Sequence, residues 1–174
     1  MSTAVAAKLL ALPASEALVL LHARAPSSLL PGARDAAVAS AALLLRHGDW
    51  SGAHDSVEKL SSPEAAWLHM LVHRAEPDVS NARYWARQLG RRHALFTRLH
   101  EAAARILHDA AAGSGGAELP VLGASWDADA MCQWYERARL QPGDAFATAV
   151  TRLGDEEWRL LFEYCCEGTR QDAA

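Results

Sequence analysis

Two histidines one helical turn apart are the residues of this sequence best suited to chemistry. His69 and His73 lie in segment 67–74, which is otherwise apolar almost all the way round apart from Arg74. Residues four positions apart share one face of a helix, so the two imidazoles can hold one metal ion. A helix without a polar face is usually buried, and buried histidines need polar partners. The alternative is a pair of core histidines bonded to backbone, carboxylate or tyrosine groups.

A third histidine is expected close to this pair. His54 belongs to the preceding helix and can supply a third ligand, and Asp55 can supply a carboxylate that orients a ligating histidine. The predicted metal ligands are therefore His69, His73 and His54, and the expected cofactor is a divalent transition metal. The glutamate of an HExxH peptidase is missing, because Met70 stands in its place.

Polar residues of the next helix are expected to face the same pair. Asn81 and Tyr84 form a polar stripe beside an apolar stripe that contains Trp85, and such a stripe points toward the neighbouring helix. Trp85 is expected in the core, together with Trp67 and Leu71 of the histidine-bearing helix. These residues, with the acidic turn and Arg74, are predicted to converge on one pocket. The alternative is a hydrogen-bond network that locks the hairpin, with helix capping as the favoured role of the acidic residues. The predicted ligand-binding set is His54, Asp55, His69, His73, Arg74, Glu76, Asp78, Asn81 and Tyr84.

Segment 69–90, with the sequence ending around Trp158 to Cys165, resembles a family of uncharacterised bacterial and fungal helical proteins. Their motif reads H-x-x-x-H-R-x-E-x-D-x-x-N-A-x-Y-W-x-x-x-x-G, and the likeness extends to His54-Asp55 and Trp126-Asp127. This chain departs by having Pro77 where glycine is expected. The resemblance implies no defined activity. It implies that the His-Arg-Glu-Asp-Asn-Tyr set is a functional pocket.

The bulk composition predicts one helical domain. The chain has 174 residues, 51% of them hydrophobic and many of these alanine or leucine, which favours helix. Its formal charge of -4 argues against a general nucleic-acid binder. Three cysteines without a CxxC pair fit a reducing compartment, so the expected location is cytoplasmic. The N-terminal apolar runs are interrupted by Pro13 and Glu16, which argues against a signal peptide, and no run is long enough for a membrane span.

Turn and cap signals divide the chain into ten predicted helices. Ser15, Ser80 and Asp127 are expected as N-caps, the segment Ser61 to Glu64 as a capping box, and Gly154 as a break between the last two helices. The expected layout is an N-terminal hairpin (1–32), a histidine-containing hairpin core (33–112) and C-terminal helices (117–174) within one domain (1–174). The predicted helices are 3–12, 16–24, 34–46, 50–60, 62–75, 81–90, 92–112, 128–140, 145–153 and 155–167.

A weak internal repeat bears on the architecture. Segment 47–53 matches segment 76–82 at a shift of 29 residues, each being an acidic turn between two helices. Tetratricopeptide-like hairpins have the same arrangement, although their period is about 34 residues. The fold expected is all-α, built of about nine or ten helices, as tetratricopeptide-like hairpins or as an irregular bundle.

Two functions follow from these observations. The first is a small helical protein that binds a small ligand or a metal through the histidine pocket, with enzymatic activity left open. The alternative is a tetratricopeptide-like protein–protein interaction module without chemistry of its own.

Overall fold

The structure, a computed structural model, describes residues 2–90 and 92–168. Within these ranges it is all-helical and contains no strand, which confirms the predicted fold class. Ten helices are present. They are α1 (Ser2–Ala11), α2 (Ala14–Ala23), α3 (Pro26–Leu29), α4 (Ala36–Arg46), α5 (Trp50–Val57), α6 (Pro63–Ala75), α7 (Val79–Leu89), α8 (Phe96–Gly113), α9 (Ala128–Leu140) and α10 (Ala145–Cys166).

Helix starts are set by short polar side chains that accept first-turn N–H groups. Asp127 caps α9 as predicted. Ser62 rather than Ser61 caps α6, so the expected capping box does not form. Asp78 rather than Ser80 caps α7, because Ser80 already lies inside the helix. Ser15 caps nothing, since α2 begins directly after Pro13.

Two helical hairpins form the centre of the fold. Helix α4 packs against α5, α6 packs against α7, and α5 packs against α6, while the long α10 runs against α4, α8 and α9. The segments 47–53 and 76–82 lie at the turns of these hairpins, where Asp49 caps α5 and Asp78 caps α7. In the N-terminal segment, α1 packs on α4 and α10, and α2 packs on α4.

Helix α6 is the most deeply buried element around the site. Trp67 and Leu71 are buried, as the apolar character of the helix predicts. Trp85 of α7 was expected in the core and instead lies half-buried at its edge. The rings of His93 and Phe96 contact the Trp67 indole with centroids 4.9 and 5.3 Å away. Aromatic packing around Trp67 therefore helps to fix the position of the histidine-bearing helix.

The predicted break at Gly154 is wrong, because α10 continues through it as one helix. Gly154 is buried, and a Cβ atom there would lie 1.9 Å from the Tyr135 hydroxyl oxygen. The glycine thus allows a side chain of α9 to contact the α10 backbone directly, which is a packing role of glycine rather than a turn-forming one.

No helix in the described part of the chain has both the length and the apolar character needed to cross a membrane.

Candidate metal-binding site

The predicted histidine cluster is present. Helix α5 contributes His54, and successive turns of α6 contribute His69 and His73. One ring nitrogen of each lies within 4.8 Å of those of the other two. The ring of His54 meets the rings of His69 and His73 edge-on, with centroid distances of 4.5 and 5.3 Å. His69 and His73 are themselves stacked at 5.0 Å.

One ring nitrogen of His73 lies close to a carboxylate, and the other has no hydrogen-bond partner. Its Nδ1 lies 3.2 Å from Oε2 of Glu76, one turn further along the chain. In the tautomer that carries its proton on Nδ1, His73 donates to this carboxylate and has a lone pair on Nε2. That Nε2 atom is buried and has no hydrogen-bond partner, and the residue is only 5% exposed. A buried polar atom without a partner is rare.

Helix α7 contributes Asn81 to the rim of the cluster. The side-chain Nδ2 of Asn81 lies 3.5 Å from Nδ1 of His73 and can donate to it only in the other tautomer, in which the proton is on Nε2. Its backbone N–H donates to Oδ1 of Asp78, which caps α7. This backbone hydrogen bond is the main reason that the pKa of the Asp78 carboxyl is lowered. Asp78 therefore positions Asn81 through the helix start, while Asn81 itself contacts the cluster.

Trp85 covers the open face of His69. The indole and the imidazole are nearly parallel, with an interplanar angle of 16° and centroids 4.0 Å apart. His69 thus lies between Trp85 on one side and His73 on the other. Trp85 belongs to the motif but was assigned to the core rather than to the site.

The histidines of α6 are neutral near pH 7. Burial lowers the pKa of His69 to about 4, with the charges that His54 and His73 would carry as further causes. The pKa of His73 is also lowered, mainly by burial, although Glu76 acts in the opposite direction. Neutral imidazole is the form that coordinates a metal.

Two of the predicted residues, Arg74 and Tyr84, lie away from the cluster, and a third, Asp55, lies at the surface beside His54. Arg74 is buried on another side of α6, where its Nη2 donates to Oε2 of Glu157 and its guanidinium lies over the Tyr135 ring at 4.6 Å. Tyr84 is 47% exposed and contacts Trp85 edge-on. The Oδ1 atom of Asp55 lies 3.8 Å from Nδ1 of His54. The expected single pocket is thus divided into a histidine cluster and a separate buried ion pair.

Glu157 is the residue that sequence reasoning missed. It is fully buried and accepts hydrogen bonds from Arg74 and from Nε1 of Trp67, the latter at 2.9 Å. Its position carried a signal, because it lies four residues from the apolar Leu153 and four from Leu161 on one helix face. An acidic residue in that stripe needs a buried cation, and Arg74 of the equally apolar α6 is that cation.

Comparison of the chain with protein-family models, curated proteins and solved structures finds no match.

Proposed function

We propose that this protein binds a divalent transition-metal ion through His54, His69 and His73. The observation that carries the proposal is the group of three histidines whose ring nitrogens, one from each residue, lie within 4.8 Å of one another. Within this group, the Nε2 atom of His73 is buried and has no hydrogen-bond partner. A metal ion at the centre of the three imidazoles supplies the missing partner.

The donor set favours particular metals. Three neutral imidazoles suit Zn²⁺, Cu²⁺ and Ni²⁺ rather than Mg²⁺ or Ca²⁺, which prefer oxygen ligands. A tetrahedral Zn²⁺ at about 2.1 Å from each nitrogen holds the three nitrogens about 3.4 Å apart. The three nitrogens would therefore have to approach one another from their present separations of up to 4.8 Å.

Glu76 supports the proposal from outside the ligand set. Histidine ligands usually donate their second N–H to a carboxylate or carbonyl, which fixes the tautomer and makes the ligand more basic. The contact of Nδ1 of His73 with Glu76 has this arrangement. Three protein ligands leave a fourth coordination position for water or a small molecule, and that position is where a small ligand would bind.

The proposal is tested by calorimetric titration of protein without a polyhistidine tag. Zn²⁺, Cu²⁺ and Ni²⁺ are titrated separately into the wild type and into His54→Ala, His69→Ala and His73→Ala. The matched control is His108→Ala, because His108 of α8 has a side chain that is 87% exposed.

The expected result is one metal ion per chain for the wild type and for the control. Loss of a group that is hydrogen-bonded to a metal ligand typically lowers metal affinity by roughly 10–100-fold. Each of the three cluster variants loses a ligand itself and should therefore lose more affinity than this. A wild type that binds no metal, or cluster variants that bind as the control does, would exclude the site. The interaction-module function would then be the better explanation of the fold.

A further inference from the structure

A second groove lies at the start of α8, away from the histidine cluster. It has a volume of about 550 Å³ and runs between the first turn of α8 and the segment from Ala124 to Trp126. Phe96 and Trp126 provide aromatic walls, and Arg92, Thr97 and Ser125 provide polar groups. None of the residues that line it is acidic. The groove is therefore electrostatically suited to an anion.

The N-terminus of α8 opens onto this groove without a capping side chain. The N-cap residue is Leu95, which has no side-chain acceptor. His93 accepts from the N–H groups of Leu95 and Phe96, through its Nδ1 and its carbonyl oxygen respectively. The next two N–H groups, of Thr97 and Arg98, are those that a capping side chain would normally take. An 18-residue helix also places partial positive charge at this end.

Trp126 provides an observation that is independent of the helix end. The residue is 4% exposed, lines the groove, and has no hydrogen-bond partner for its Nε1–H donor. His100, one turn into α8, also lines the groove and has a buried Nδ1 without a partner. Buried indole N–H groups usually find an acceptor. The residue that carries this donor lines the same groove as the first turn of α8.

We propose that this groove binds the phosphate group of a small phosphate monoester. The phosphate oxygens would accept from Nε1 of Trp126 and from the open first-turn N–H groups of α8, and Arg92 would contribute a full positive charge. Neither Glu64 nor Asp127, the residue after Trp126, lines the groove. The Oε1 atom of Glu64 lies 3.2 Å from Nε2 of His93, and the carboxylate of Asp127 accepts from first-turn N–H groups of α9.

The number of donors favours phosphate over carboxylate. Two helix N–H groups, one indole N–H, one guanidinium and the hydroxyls of Thr97 and Ser125 can converge here. A phosphate monoester presents three terminal oxygens to such a set, whereas a carboxylate presents two. The volume exceeds that of phosphate alone, so the rest of the ligand would lie against Phe96 and Trp126.

The test is calorimetric titration with phenyl phosphate in buffer that contains a metal chelator, so that the histidine cluster plays no part. Inorganic phosphate and benzoate are titrated in parallel to separate the phosphate from the aromatic ring and from a carboxylate. The variants are Trp126→Phe, which keeps the ring and removes the donor, and Arg92→Gln. The matched controls are Trp50→Phe, at an exposed tryptophan of α5, and His54→Ala.

We expect saturable binding of phenyl phosphate that weakens about tenfold or more in Trp126→Phe, because a hydrogen bond to a charged group is stronger than one between neutral groups. Arg92→Gln should weaken it similarly and lower its salt dependence, and both controls should bind as the wild type does. Arg92 is exposed, so that variant remains informative if Trp126→Phe fails to fold. The proposal is overturned by absence of saturable binding, by benzoate binding as tightly as phenyl phosphate, or by affinity that neither variant changes.

Discussion

The imidazole of His69 lies parallel to the indole of Trp85, with ring centroids 4.0 Å apart. Of the six tryptophans in the chain, Trp85 is the one that the described ring contacts place against a member of the histidine cluster. This contact makes Trp85 a spectroscopic probe of the proposed metal site.

Copper binding should therefore quench Trp85 in particular. A Cu²⁺ ion bound to an imidazole quenches an indole in van der Waals contact with it by electron or energy transfer. We expect one equivalent of Cu²⁺ to quench part of the total fluorescence of the wild type, and most of that part to disappear in Trp85→Phe. The matched control, Trp50→Phe, should lose fluorescence without losing the quenching. Equal quenching in the two variants would place the copper elsewhere.

Replacement of Glu76 should weaken metal binding without removing it. Glu76→Gln leaves all three imidazoles in place but removes the negative charge 3.2 Å from Nδ1 of His73. We expect a loss of about 10–100-fold in affinity, measured by competition with a chromophoric chelator. Glu101→Gln, at an exposed position of α8, is the control. Unchanged affinity in Glu76→Gln would show that the Glu76 carboxylate does not contribute to metal binding.

Stability of the metal-free protein should fall as the pH is lowered from about 6.5 to about 4. The pKa of His69 is about 4 in the folded chain and 6.5 in a model compound. Between these values the unfolded chain binds a proton that the folded chain does not, so the folded state loses up to about 1.4 kcal/mol per pH unit. Above this window His69 is neutral in both the folded and the unfolded chain, so its titration no longer changes the free energy of unfolding.

The pH prediction is checked by urea unfolding at a series of pH values between 4 and 7.5. The His69→Leu variant should show a shallower dependence over this range than the wild type, with His108→Leu as the control. The lowered pKa of His73 acts in the same direction, so a residual slope is expected in His69→Leu. A slope identical to that of the wild type would mean that His69 titrates normally.

The ion pair of Arg74 and Glu157 should respond differently to single and double replacement. Both side chains are almost fully buried, and Glu157→Leu leaves the Arg74 guanidinium without its counter-charge. Removing one partner of a buried pair costs about 3–5 kcal/mol. The double variant Arg74→Met with Glu157→Leu should recover most of that loss. The measurement is the free energy of unfolding in urea, and additive losses in the double variant would contradict a coupled pair.

The histidine cluster was predictable because its determinants are local. The spacing of His69 and His73 fixes a common face, and a short connection from α5 brings His54 alongside α6. The almost charge-free sequence of α6 likewise predicts its burial, which is observed for Trp67, Leu71 and both histidines. Periodicity within one helix and hairpin connectivity were sufficient for this part of the site.

The position of Arg74 could not be predicted in the same way. It follows His73 by one residue, and the helical rotation of one residue turns its side chain toward a different neighbour. That neighbour, Glu157, is 83 positions away in sequence, and the docking of α10 against α6 is a tertiary relationship that no local pattern specifies. Tyr84 was misplaced for a related reason, because a polar stripe on α7 does not reveal which of its members the next helix covers.

The continuity of α10 depends on a side chain from another helix. Gly154 disfavours helix by about 1 kcal/mol relative to alanine, which is why a break was expected there. The Tyr135 hydroxyl occupies the space where a side chain would be, and this contact explains the glycine without a turn. The sequence shows that Gly154 disfavours a helix, but it does not show the contact with Tyr135 that requires a glycine there.

X-ray absorption at the zinc edge, on protein loaded with one equivalent of Zn²⁺, counts the histidine ligands of the proposed metal site. We predict a four-coordinate site with three imidazole ligands at about 2.0–2.1 Å and one further light-atom ligand, and no sulfur. The same measurement on His73→Ala should count two imidazoles. A spectrum with fewer than three imidazoles in the wild type, or with the same number in His73→Ala, would contradict the assignment.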